Sequence, residues 1–288
     1  MRDQASSLRQ LVSDDKPVDF ANPGAVRAGN GARVIAVTSG KGGVGKTILT
    51  VNLALLLAEL PAGVLVVDAD LGLANVDVML GMEPGRHIGH LLLAGCLPGE
   101  VAATGPGGIK VISGGSGLQE LADASRADRL MLLEKLHSYY ENFDYVLVDT
   151  SPGIGPEVTD FLQRADDVLL VTTPEPTSLR DTYAALKAIT REMPGREIIL
   201  IVNCAASGQA EQAIEALNHV ARKFLKRQCD CWYQVEPDPM VCRTIRDRKP
   251  LVRAYPRSPA AACLRRLAKA LACGGAAARN REAAHALA

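Results

Sequence analysis

Gly40-Lys41-Gly42-Gly43-Val44-Gly45-Lys46-Thr47 satisfies the pattern G-x-x-x-x-G-K-[ST], and its flanks say what it is for. The apolar run Val34-Ile35-Ala36-Val37 before it predicts a buried strand, and Leu49 to Leu60 after it predicts a helix. A glycine loop between a strand and a helix N-terminus is a phosphate cradle. The glycines let backbone N–H groups turn inward, and the helix dipole favours negative charge there. Lys46 is then placed for the β- and γ-phosphates of a nucleotide, and Thr47 for Mg²⁺. Lys41 is surplus to this arrangement, because Lys46 already supplies the cation.

Three segments downstream fit the same chemistry. Val64-Leu65-Val66-Val67 leads into Asp68-Ala69-Asp70, a strand that delivers two carboxylates to its C-terminal end, where open α/β sheets bind ligands. Alternate positions put both on one side. One of Asp68 and Asp70 can position a water against the γ-phosphate while the other supports the metal's water shell. Tyr145-Val146-Leu147-Val148 leads into Asp149-Thr150-Ser151-Pro152-Gly153. Asp149 is expected to hold Mg²⁺ through water, and the Pro-Gly turn can move with the γ-phosphate. Ile198 to Val202 ends in Asn203, whose amide suits a purine edge and equally suits a turn cap.

Strands are predicted at 33–39, 63–69, 108–113, 144–149, 167–173, 196–203 and 229–235, with helices at 46–60, 126–142, 177–193 and 208–227. This alternation, with near-continuous apolar strands, predicts an α/β fold: a mainly parallel β-sheet with helices on both faces. Around a core at 32–257 lie a short helix at 1–12, a linker at 13–31, an amphipathic helix at 258–273 and a tail at 274–288. Lysine plus arginine and aspartate plus glutamate both total 32, and aromatics are 4%. Neither an overall electrostatic pull on nucleic acid nor a base-stacking surface follows, so no direct nucleic-acid binding is expected. The seven cysteines are odd in number and contain no CxxC; they read as free thiols of a reducing cytoplasm. Cys229 and Cys231 are expected on one face of a strand as small buried hydrophobes. No apolar run reaches the ~18 residues of a membrane span.

The spelling KGGVGKT resembles the deviant Walker A box of the MinD/ParA P-loop NTPases, and with Asp68, Asp70, Asp149 and Asn203 the likeness runs over residues 32–257. The resemblance implies an ATP hydrolase that works as an ATP-dependent homodimer. ATP and Mg²⁺ would sit on Gly40 to Thr47, with Lys41 crossing to the partner subunit's nucleotide, Asp70 orienting the attacking water, Asp68 supporting the ion's water shell and Asn203 reading adenine. Asp68 to Gly81 looks like the MinD branch. Asp3-Gln4-Ala5-Ser6-Ser7-Leu8-Arg9 resembles the DQAxxLR element of the FlhG/FleN regulators of flagellar number and placement, and Thr173 to Ser178 looks like that branch too. The implied partner of Asp3, Gln4, Ala5, Leu8 and Arg9 is an FlhF-like SRP-type GTPase, stimulated through Gln4. Flagellar switch-complex proteins and a flagellar transcription activator are further implied partners. The family also carries a C-terminal membrane-targeting helix. Here residues 260–272 offer three leucines and no aromatic, which predicts weak, reversible attachment to the inner face of the cell membrane, or permanent packing on the core. The competing readings are a MinD-type septum-positioning ATPase, a ParA-type partition ATPase and an iron–sulfur reductase. The last needs two suitably placed cysteines, and none follows in the Asp149 region.

Overall fold

The computed structural model describes residues 31–70, 72–115 and 125–273. Its centre is one eight-stranded sheet. The strands are β1 Arg33–Thr38, β2 Val64–Ala69, β3 Ala103–Thr104, β4 Lys110–Ile112, β5 Tyr145–Thr150, β6 Asp167–Thr172, β7 Ile198–Asn203 and β8 Trp232–Val235. In space they run β3-β4-β2-β5-β1-β6-β7-β8. Every pairing is parallel except that of β3 with β4. The α-helices are α1 Lys46–Leu57, α2 Val76–Leu80, α3 Pro98–Val101, α4 Arg126–Tyr140, α5 Pro156–Leu162, α6 Pro176–Glu192, α7 Gln209–Leu225, α8 Pro239–Asp247, α9 Leu251–Ala254 and α10 Pro259–Ala272.

The central strands are apolar at nearly every position because both faces are covered. All six residues of β2 are buried. On one face Val34, Ala36, Val148, Leu170 and Val202 pack against α4, α5, α6 and α7. On the other, Ile35, Val37, Leu147, Leu169 and Ile199 pack against α1, α9 and α10. Helix α1 is apolar nearly all round, as a helix must be when it lies between a sheet and a second layer. That second layer is α10, whose Leu264, Leu267 and Leu271 are each about fully buried against α1 and β8. The apolar face of the C-terminal amphipath is thus committed to the core. Arg33, at the start of β1, donates to the carbonyl of Leu271 near the end of α10 and pairs with Asp167 at 2.6 Å.

Two expectations about detail change. The antiparallel edge β3 is two residues long and carries no periodic signal. Cys229 and Cys231 are both buried, but in the cores on opposite sides of the sheet, because β8 begins only at Trp232 and strand alternation does not govern the residues before it. Asp3, Gln4, Ala5, Leu8 and Arg9 lie outside the described residues, as do most of the expected linker and the tail at 274–288. Among the described residues no helix is long and apolar enough to cross a membrane.

Candidate nucleotide-binding site

The loop after β1 and the ends of β2 and β5 meet at the carboxyl end of the central parallel strands. The two strands adjoin there, with Asp68 opposite Asp149 and Ala69 opposite Thr150. Glycine is required in the loop for two separate reasons. Gly45 has φ +97°, a left-handed conformation that only glycine adopts cheaply. A Cβ on Gly40 would stand 2.1 Å from the carbonyl oxygen of Asp181 in α6, so the backbones of loop and helix touch. Helix α1 then begins at Lys46 and points its free N–H groups at the loop's concavity.

Lys46 is 8% exposed. Burial lowers its ammonium below the usual lysine range, while the charges of Asp149 and Asp70 pull it back up. One cation and two carboxylates therefore converge before any phosphate arrives. Thr47 Oγ1 donates to Asp149 Oδ2 at 2.6 Å. Thr50, one turn further along α1, donates to Asp149 Oδ1 at 3.1 Å. Thr50 escaped the sequence reading, although its spacing of three from Thr47 puts both on one helix face. The hydroxyl–carboxylate pair of Thr47 and Asp149 is an all-oxygen donor set that fits Mg²⁺, an ion that takes one or two protein oxygens and completes its shell with phosphate and water.

Burial pushes the Asp149 carboxyl up to about 6, against the opposing pull of the Thr47 bond and the Lys46 charge. Its folded-state value lies above the 3.8 of an ordinary aspartate. The protonated form therefore favours the fold, a contribution complete below about pH 4 and lost as pH rises through 6. Metal binding runs the other way, because Mg²⁺ needs the ionised carboxylate. Affinity for Mg·ATP is expected to be level above about pH 7 and to fall towards tenfold per unit below about pH 6. Calorimetry across that range checks this, and a flat profile would remove Asp149 from the metal site.

The sequence reading set Asp68 in the metal's water shell. In the structure it is wholly buried and its oxygens serve backbone amides: Oδ1 accepts from Asp70 at 3.1 Å, and Oδ2 from Asn75 at 2.9 Å and Val76 at 3.0 Å. Burial, and then the neighbouring Asp149, raises its carboxyl. Asp68 thus holds the turn that presents Asp70. Asp70 Oδ1 accepts from Ser151 Oγ at 3.0 Å, a second contact that motif reading missed. Asn203 donates from Nδ2 to the carbonyl of Val44 at 2.8 Å, bracing the loop from β7. Lys41 lies on the rim, its Nζ donating to Thr177 Oγ1 of its own chain at 3.0 Å. Gly153 N donates to Ser39 O at 2.8 Å, joining the turn after β5 to the phosphate loop. Gly42 and Gly43 are exposed on the loop, and Val44 is buried in the core beneath it.

Comparisons with known proteins agree with this geometry. The family model ParA, described as NUBPL iron-transfer P-loop NTPase, matches residues 30–272. The chain is 37% identical over 238 residues to the antiactivator FleN of Pseudomonas aeruginosa, covering 82% of this chain and 85% of the relative. It is 34% identical over 259 residues to the flagellum site-determining protein YlxH of Helicobacter pylori, covering 89% and 85%. Among solved structures, the septum site-determining protein MinD of Pyrococcus horikoshii, complexed with Mg-ADP, superposes with a TM-score of 0.67 at 26% identity, covering 82% of this chain and 94% of that one. Cys229 and Cys231 do not form a ligand pair: burial pushes both up to about 11, and they lie in cores on opposite sides of the sheet. The phosphate-loop sequence and these relatives converge, and the chain belongs to the MinD/ParA family of P-loop ATPases, on its FlhG/FleN branch.

Proposed function

We propose that this ATPase is an ATP-gated homodimer that regulates flagellar number and placement. The observation that supports it most is the convergence of Lys46, Asp149 and Asp70 at the carboxyl end of the central strands, with Lys41 on the rim beside them. Gly40 to Thr47 bind the phosphates and Asn203 lies beside them to read the adenine. Thr47 and Asp149 hold Mg²⁺, which when bound neutralises charge between the β- and γ-phosphates. Asp68 keeps Asp70 in place through the turn that its carboxylate caps. Asp70 orients the attacking water. Lys41 leaves Thr177 and reaches the nucleotide of a second copy, so the dimer lasts as long as the γ-phosphate. Loss of that phosphate is felt first at Pro152-Gly153, which is tied to the phosphate loop through Ser39.

The flagellar role draws on the antiactivator and site-determining relatives and on the element at 3–9. Asp3, Gln4, Ala5, Leu8 and Arg9 engage an FlhF-like GTPase, while switch-complex proteins and a transcription activator read the dimer. Weak membrane attachment through 260–272 requires α10 to leave α1, because its leucines are buried there. The test is GTPase stimulation. Gln4→Ala is expected to keep full ATP hydrolysis while the FlhF-like GTPase loses most of its stimulation, about tenfold. Undiminished stimulation by the variant would remove the activator role.

A further inference from the structure

We propose that Ser151 is a positioning residue for Asp70, setting the rate of the hydrolytic step while leaving nucleotide affinity alone. The inference rests on the reading of Asp70 as the group that orients the attacking water. The sheet register supplies the first argument. Strands β2 and β5 run parallel, Asp68 beside Asp149 and Ala69 beside Thr150. One step beyond the strand ends, Asp70 and Ser151 leave the sheet side by side, and Ser151 Oγ donates to Asp70 Oδ1 at 3.0 Å. A weaker donor, the Leu73 N–H at 3.3 Å, serves the same oxygen. Both contacts fall on Oδ1, which leaves Oδ2 to face a water.

The terminal torsion of an aspartate is broad and two-fold, so a carboxylate without a fixed donor samples many orientations. A water held for in-line attack tolerates little of that freedom. Ser151 is itself well held. Its carbonyl lies 3.3 Å from the Thr150 hydroxyl, which also donates to Val37 of β1 at 3.1 Å. Two residues on, Gly153 is bonded to Ser39 of the phosphate loop. Ser151 therefore stands on one short piece of backbone between the metal-side Asp149 and the turn tied to the phosphate loop. A shift of that turn reaches the Asp70 carboxylate through a single hydroxyl.

Steady-state ATP hydrolysis at saturating Mg²⁺ tests this with Ser151→Ala, Ser151→Thr, Asp70→Asn and the double variant Ser151→Ala with Asp70→Asn. Ser151→Ala is expected to lower kcat about tenfold with KM for ATP within about twofold of the parent. Ser151→Thr keeps the hydroxyl and is expected to recover most of that loss. In the Asp70→Asn background, Ser151→Ala is expected to have no further effect, because the group it positions is gone. If Asp70→Asn loses activity while Ser151→Ala keeps the parental kcat, the positioning role is overturned and the reading of Asp70 stands. The role is equally overturned if Ser151→Thr is as impaired as Ser151→Ala, or if KM moves as much as kcat. Parental hydrolysis by Asp70→Asn would overturn the reading of Asp70 and, with it, the role of Ser151.

Discussion

Replacing Lys46 with alanine is expected to weaken binding of ATP and ADP by at least about a hundredfold, because truncating one partner of a buried charge pair costs several kcal/mol. Lys46 is almost entirely buried, so its charge acts where water screens little. It also faces Asp149 and Asp70. Without it, a triphosphate meets two carboxylates with no buried cation between them, and the backbone N–H groups of the loop do not offset that repulsion. Arginine is expected to fail as well, since a planar guanidinium is not a compact point charge. Calorimetry with both nucleotides at millimolar Mg²⁺ measures the loss, with circular dichroism as the control for folding. Unchanged affinity would refute the phosphate site.

Replacing Asp70 with alanine is expected to slow hydrolysis by about 10²–10⁴-fold while leaving ATP bound. The separation follows from position. Phosphate binding falls to the loop and to Lys46, whereas Asp70 stands at the end of the neighbouring strand β2, held by Ser151 and by the turn that Asp68 caps. A protein that binds ATP without cleaving it accumulates in its ATP state, so light scattering is expected to show a lasting doubling of mass with Mg·ATP and none with Mg·ADP. An Asp70→Ala protein that stays monomeric with ATP would end the proposal that hydrolysis times the dimer.

Much of this site is contiguous in sequence, which is why it could be read there. Gly40 to Thr47 are eight consecutive residues whose chemistry is local, and the flanking apolar runs fold as the strand and helix they suggest. Asp149 is legible because four residues of apolar and aromatic strand, Tyr145 to Val148, lead directly into it. The contacts that escaped are made by ordinary residues whose partners come from other elements. Thr50 matters only because α1 lies against the end of β5, and Ser151 only because β5 adjoins β2. Period two from Asp149 does single out Ser151 once that adjacency is known. Asn203 left two readings open, and the structure gives its Nδ2 to the loop. The cysteine pair shows the opposite failure: alternation was applied to residues where the backbone is not yet a strand.

The clasp of Arg33 on Leu271 has a practical consequence for anyone labelling this ATPase. It means that the described residues begin and end within reach of one arginine, at the amino end of β1, across the sheet from the phosphate loop. Fluorescent reporters attached at residues 31 and 273 start on the side away from the phosphate loop. They also start beside one another, so two such labels stay within energy-transfer range for as long as α10 remains on the core.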